Sequence, residues 1–170
     1  MVSGDIVNRK KVKMNIIYKE INAEIEKSIA EQYGSWVFDW NCLVQGEGCY
    51  RIAAMDGETV AGFAALHPAN WIAPLEQYTD AFIEVIEVAG DYRRKGIGST
   101  LVKMMEAYAK SYGYYQIRSW SSTDKTEALH MWRKLKYAMC PAAMLGEPVK
   151  ETDLKQLPGF YYAKILNENA

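Results

Sequence analysis

Phe82-Ile-Glu-Val-Ile-Glu-Val-Ala-Gly-Asp-Tyr-Arg-Arg-Lys-Gly-Ile-Gly-Ser-Thr-Leu-Val102 carries an apolar strand into a glycine-punctuated basic loop and then into an amphipathic helix. That order builds an anion cradle. Gly96 and Gly98 let backbone approach a ligand closely, and the unpaired N–H groups of a first helical turn, aided by the helix dipole, favour negative charge, most often phosphate. Arg93, Arg94 and Lys95 add cationic charge at the same place. Beyond the loop, Leu101, Val102, Met105, Ala109 and Tyr112 fall on one stripe and predict a helix over 97–112, with Gly113 where a left-handed cap belongs.

Working outward, strands over 81–88 and 115–120 flank that helix, a βαβ unit whose crossover is right-handed and whose strands are parallel. Upstream, a strand over 15–19 leads to a helix over 23–32, with Ile25, Ile29 and Ala30 at helical spacing, and a second helix starts from Trp36. The β-prone runs 49–55 and 59–66 flank Asp56-Gly57, a dipeptide that tight hairpin turns favour. Residues 67–80 hold two prolines and no periodicity and read as a loop. Downstream, Thr123 and Asp124 with Glu127 suggest a capped helix over 124–135, followed by closing strands over 137–145 and 160–166. The class is mixed α/β, a central mixed sheet of about six to seven strands with about four helices. It forms one domain over 14–170, with residues 1–13 a polar extension.

Apolar residues make up 49% and charged residues 24%, ordinary for a globular chain, and the net charge of -1 gives no general pull toward nucleic acid or an anionic membrane. The basic cluster is therefore read as a local ligand site. Three cysteines without CxxC or CxxH spacing argue against a disulfide framework or a structural zinc, and Cys140 reads as a small buried hydrophobe. With no long apolar run and no signal segment, a cytoplasmic location is expected.

Arg93-Arg-Lys-Gly-Ile-Gly98 fits the pattern Arg/Gln-x-x-Gly-x-Gly/Ala and follows the strand that ends in Val88. With Asp91-Tyr92 before it and Leu101 after, it resembles the coenzyme A loop of the GCN5-related N-acetyltransferase (GNAT) family. Ala128-Leu-His-Met-Trp-Arg-Lys-Leu-Lys-Tyr137 resembles the family's Ala-x-x-x-Tyr-x-x-x-Gly-Phe segment, and the element order from about Asn15 to Leu166 also fits. The resemblance implies an acetyl-CoA-dependent N-acetyltransferase acting on a primary amine of a small molecule or peptide. It places the pyrophosphate on the amides of Arg94, Lys95, Gly96, Ile97, Gly98 and Ser99, beside Arg93, and the pantetheine along Ile86, Glu87 and Val88. It further implies a bulge near Val88 that opens a gap between the two parallel strands, and the Ile86 N–H facing the thioester oxygen. Gly90 stands where a proline is frequent, Lys136 where a glycine is usual, and Trp132 at the place of a tyrosine that reprotonates the leaving thiolate. Trp132 is thus expected at the coenzyme without serving as an acid, since an indole N–H does not ionise at neutral pH.

An amine with a pKa near ~10.4 costs about 4 to 5 kcal/mol to deprotonate at neutral pH, so a base is expected. Glu84 matches the family's glutamate; by the two-residue period of a strand, Glu84 and Glu87 should lie on opposite faces. His67 reads as a turn residue or a base, and His130 as a packed or exposed helix residue. Tyr137, with Tyr161 and Tyr162 behind it, is the candidate replacement acid. Trp36, Phe38, Trp40 and Trp71 are candidates for the acceptor wall. Direct transfer needs no metal. A non-catalytic acyl-CoA-binding or regulatory module is the alternative, and a nucleotide-binding protein is disfavoured for want of GxxxxGK[ST] or GxGxxG. An open strand edge near the C-terminus is suited to a homodimer.

Overall fold

The computed structural model describes residues 14–145 and 156–167. Along them run β1 (Ile16–Glu20), α1 (Ala23–Tyr33), α2 (Trp36–Asp39), β2 (Tyr50–Asp56), β3 (Thr59–Asn70), β4 (Thr79–Val88), α3 (Ile97–Tyr112), β5 (Gln116–Ser122), α4 (Thr126–Lys134), β6 (Ala138–Leu145) and β7 (Gln156–Ile165). The polar extension expected over 1–13 lies outside the described residues. The seven strands form one sheet in the order β1-β2-β3-β4-β5-β7-β6. Every neighbouring pair is antiparallel except β4 with β5. The mixed class, the strand number and the four α-helices agree with the sequence reading.

Three local expectations change. The loop expected over 67–80 shortens to 71–78, with 67–70 and 79–80 in the ladder and Asn70 opposite Thr79, so β3 and β4 form a long hairpin. Pro68 is tolerated there because β2 pairs no further than Leu66, leaving β3 with β4 on one side and, among the described residues, no paired strand on the other. The helix over 126–134 takes Lys125 at its N-cap without a side-chain bond, while the Asp124 carboxylate accepts the Ser122 hydroxyl instead of capping. Cys140 is exposed, because β6 is an edge strand and this side chain faces outward.

The sheet has a core on each face. Leu101, Val102, Met105 and Ala109 of α3 pack with Leu66, Ala81, Ile83 and Ile117, and Trp132, Tyr137 and Tyr162 join the same cluster. At roughly 1.5–3 kcal/mol per large apolar side chain buried, that stripe is what seats α3. On the other face, Ile25 and Ile29 of α1 pack with Val37, Phe63, Ala65 and Val85. The start of α1 is fixed by Asn22, whose side-chain oxygen accepts the Ile25 N–H at 2.9 Å. Gly113 ends α3 in the left-handed conformation. Among the described residues no helix is long and apolar enough to cross a membrane.

At Gly62, β3 lies close to both β4 and the start of α3. A Cβ there would lie 2.7 Å from the Glu87 carbonyl oxygen and 3.4 Å from Ile97 Cγ2. Gly62→Ala is expected to lower the unfolding free energy by about 1–3 kcal/mol in urea melts, because backbone and not a flexible side chain must move.

Candidate active site

The site begins at an irregularity in β4. Ala65 pairs with Val85 but Leu66 pairs with Ile83, so Glu84 is an extra residue, a β-bulge. The bulge changes which side chains face which layer. Before it, Ala81 and Ile83 face the α3 core; after it, Ile86 and Val88 pack there while Val85 joins the α1 core. Glu84 and Glu87 therefore share the α1 face instead of lying on opposite faces, because the extra residue breaks the period of two. The bulge also lies four residues earlier than Val88, where it was expected.

The same point is a fork. β4 and β5 pair only through Ala81 with Ile117, Phe82 with Arg118 and Ile83 with Ser119. Before the fork the strands are clamped: the Asp80 carboxylate, fully buried, accepts from Gln116 Nε2 at 2.8 Å and lies 2.6 Å from Arg118 Nε. At the fork the Ser119 hydroxyl donates to the Ile83 carbonyl at 3.2 Å. Beyond it the ladder phase decides which backbone groups face the gap. The Ala89 N–H bonds to the Ala61 carbonyl at 3.0 Å, so Glu87 and Val85 direct their backbone groups to β3, and Ile86 and Val88 direct theirs to the side that β5 has left. Of the three residues expected along a pantetheine, Ile86 and Val88 thus offer backbone to the gap and Glu87 does not. The Val88 carbonyl accepts from Arg93 Nε at 3.0 Å, and Arg93 Nη1 lies 3.8 Å from Glu127.

The basic loop begins five residues beyond Val88 in the chain. Arg94 and Gly96 adopt positive φ, +59° and +87°, which coils the chain so that successive amides point to one side. Among the described residues no backbone or side-chain acceptor takes the N–H groups from Arg94 to Ser99; the first bonded amide is Thr100, to the Gly96 carbonyl at 3.0 Å. Ile97 is buried and Gly98 lies against Val88 and Met131, so the first turn of α3 is anchored while Arg93–Gly96 stay exposed. Six amides and three cationic side chains form a site for an anion of phosphate type.

The expected acid–base residues separate. Glu84 is accessible, its side chain 34% exposed, and its Oε2 lies 3.1 Å from His67 Nε2. That contact raises His67 above its ordinary 6.5, against the opposing effect of burial. Tyr137 is buried, beneath Trp132 and beside the Glu106–Lys164 ion pair. Burial, and then the Glu106 charge, push its phenol far above the usual 10. Lys164 pairs with Ile117, on the closed side of the fork, so Tyr137 has neither the place nor the acidity of a proton donor. Trp132, 1% exposed, stacks on Tyr162 with centroids 4.9 Å apart and serves the core rather than a ligand surface. The Tyr162 hydroxyl, 2.7 Å from Ser121 Oγ, meets β5 beyond its last pair with β4.

Sequence reading missed the clamp of Asp80 and Arg118 and the pairing of His67 with Glu84. An acidic residue at a strand start and a lone histidine before a proline gave no sign of partners 38 and 17 positions away, which only strand register supplies. Of the candidate acceptor-wall aromatics, Trp40 is 75% exposed, Phe38 is exposed, and Trp71 lies under Arg118 with its ring centroid 5.6 Å from the guanidinium carbon. His130 is exposed.

A family model described as the Acetyltransferase (GNAT) family matches residues 15–137. An uncharacterized N-acetyltransferase of Methanocaldococcus jannaschii is 29% identical over 105 residues, covering 62% of this chain and 45% of its own length. A mycothiol acetyltransferase of Corynebacterium glutamicum is 24% identical over 147 residues, covering 74% of this chain and 47% of its own. The chain thus spans about half the length of these relatives. Among solved structures, Arabidopsis thaliana NAA60 in complex with acetyl-CoA superposes with a TM-score of 0.65 at 13% identity, covering 89% of this chain and 99% of that one. The ribosomal-protein-S18-alanine N-acetyltransferase of Escherichia coli gives 0.65 at 15% identity, covering 92% and 99%. A GNAT family acetyltransferase of Elizabethkingia anophelis with acetyl-CoA bound gives 0.63 at 17%, covering 91% and 100%.

Two glycines separate backbone strain from crowding in the loop. Neither Gly90 nor Gly96 has an atom within 4 Å of an added Cβ, but only Gly96 has positive φ. Gly96→Ala is expected to cost about 1–2 kcal/mol of stability and Gly90→Ala less than about 0.5 kcal/mol, measured by chemical denaturation.

Proposed function

The chain belongs to the acetyltransferase (GNAT) family, and on that premise we propose that it transfers an acetyl group from acetyl-CoA directly to a primary amine of a small molecule or peptide. One observation carries the reading: the backbone of Ile86 and Val88 faces the side that β5 has left, and the same chain continues within six residues of Val88 into the six amides from Arg94 to Ser99, which have no acceptor among the described residues. A pyrophosphate needs the amides, and a pantetheine arm needs a strand edge with free donors and acceptors.

When bound, acetyl-CoA supplies an activated acyl thioester. The chain's part is to hold and polarise it and to manage one proton. Arg94, Lys95, Gly96, Ile97, Gly98 and Ser99 hold the phosphates through backbone, with Arg93 tethered beside them by Val88 and Glu127. The Ile86 N–H, turned toward the gap, donates to the thioester carbonyl as negative charge builds on its oxygen. Glu84, at the bulge and open to solvent, takes the proton that the attacking amine must lose, about 4 to 5 kcal/mol of work for an amine of pKa near ~10.4. The sulfur leaves as a thiolate, which its reference pKa near ~8.5 makes tolerable. Tyr162, whose hydroxyl meets Ser121 beyond the fork, is buried and has its phenol pushed up by burial as Tyr137 does, so neither is assigned to reprotonate the sulfur. Relatives carry names as different as a ribosomal-protein-S18-alanine N-acetyltransferase and a mycothiol acetyltransferase. The acceptor class is accordingly kept at primary amines of small molecules or peptides.

The expected outcome is that acetyl-CoA raises the melting temperature of the protein and that at least one amine in a panel of polyamines, arylalkylamines, amino acids and peptide N-termini gives acetyl-CoA-dependent thiol release. Glu84→Gln should lower kcat by about 10²- to 10⁴-fold while keeping the thermal shift. No shift with acetyl-CoA would refute the coenzyme assignment, and a shift without turnover on any amine would favour the binding-module reading.

A further inference from the structure

Among the described residues His67 is the one charged-group partner of Glu84, and the chemistry of that contact is constrained by its other side. His67 Nδ1 lies 2.9 Å from the Pro68 carbonyl oxygen, which can only accept, so Nδ1 carries a hydrogen. Nε2 then faces the Glu84 carboxylate at 3.1 Å. With no proton between them, a nitrogen lone pair and a carboxylate oxygen would stand at hydrogen-bond distance and repel each other. Resting on the proposal that Glu84 is the base, we infer that His67 and Glu84 work as one proton-holding unit, in which His67 is the positioning residue that takes over from Glu84 the proton lost by the acceptor amine.

The pair answers a difficulty in the chemistry. A solitary carboxylate has an ordinary pKa near ~4.3, far from an ammonium near ~10.4, and so makes a weak acceptor. Handing the proton on to an imidazole whose conjugate acid is held by the same carboxylate gives a stronger one. As the amine nitrogen bonds to the acetyl carbon and the carbon–sulfur bond breaks, the sulfur keeps the bonding pair. Above the His67 value the pair has first released its own proton to solvent; the amine proton then goes to Glu84 Oε1 and a proton passes across the Oε2···Nε2 contact, restoring the imidazolium beside carboxylate that the 3.1 Å contact holds.

The surroundings favour this arrangement. Both side chains are partly open, 26% and 34% exposed, and the ring of Phe82 packs 5.7 Å from the imidazole. The groups around them do not compete for the proton. Cys42, after α2, has its thiol pushed up by burial and then by the Glu84 charge, so it stays protonated. Glu87 acts on Tyr33, and Arg118 of β5 is bound to Asp80. His67 itself sits above 6.5, with the Glu84 hydrogen bond the largest cause. A raised value leaves the base form scarce at low pH, so kcat/KM should climb as pH rises through the His67 value and level off above it, apart from the amine's own ionisation.

The test combines a pH–rate profile with an NMR titration. In wild type, kcat/KM should show an acid limb at the pH where the His67 imidazole titrates by NMR. In His67→Gln, whose amide still donates to Glu84 but cannot take a proton, that limb should vanish and kcat/KM at pH 7.5 should fall at least about tenfold. In Glu84→Gln without acetyl-CoA, the His67 titration should move down, toward or below 6.5. An unchanged limb in His67→Gln, or a His67 titration indifferent to Glu84→Gln, would overturn the inference while leaving acetyl transfer standing. Failure of the acetyl-transfer reading shows differently, as no turnover at any pH although the His67 titration still follows Glu84.

Discussion

The parting of β4 from β5 after Ile83 and Ser119 is the constraint on which the rest depends. Two parallel strands in one sheet normally continue side by side; here they are held together at one end and kept apart at the other. The closed end is secured by Asp80 reaching Gln116 and Arg118, and by the Ser119 hydroxyl on the Ile83 carbonyl. The open end follows from the single extra residue, Glu84, which bends β4 and increases its twist. An ordinary strand would have kept Ile86 and Val88 bonded to β5. With the fork their backbone groups face a gap, and a buried or ligand-facing backbone group must find some partner.

The core converts that gap into a directed site. Leu101, Val102, Met105 and Ala109 fix α3 over β3 and β4, and Ile97 and Gly98 draw its first turn against Val88. The unpaired amides are therefore aimed by apolar packing and not by loop chemistry alone. Gly62 and Gly98 supply closeness, whereas Gly96 supplies a backbone conformation that other residues reach only with strain. Charge is layered on this frame: cations at the phosphate end, carboxylate and imidazole at the fork. The two ends are joined along β4 from Glu84 to Val88, four residue steps or roughly 13 Å at about 3.3 Å per residue.

What was legible in the sequence was what local chemistry fixes. Gly96 and Gly98 after an apolar run, the stripe from Leu101 to Ala109, Gly113 at the helix end and Asp56-Gly57 between strands each carry their structure within a few residues. What depends on register was not legible. A bulge at Glu84 exists only relative to Leu66 and Ala65, so the faces of Glu84 and Glu87 came out wrong. Pro68 suggested a loop because its tolerance depends on β2 ending opposite Leu66. Tyr137 fitted a motif position, but its burial against Glu106 and Lys164 is decided by β7 entering between β5 and β6. Asp124 had the right spacing to cap a helix and instead bonds to Ser122.

Amide hydrogen–deuterium exchange with and without acetyl-CoA tests the central claim most directly, because the claim concerns specific backbone groups. Peptides covering Ile86 to Ser99 should become protected when acetyl-CoA is added, Ile86, Val88 and the amides from Arg94 to Ser99 most of all, while β1 and β2 remain unchanged. Binding of acetyl-CoA with no protection across this segment, or with protection confined to another face of the sheet, would contradict the account.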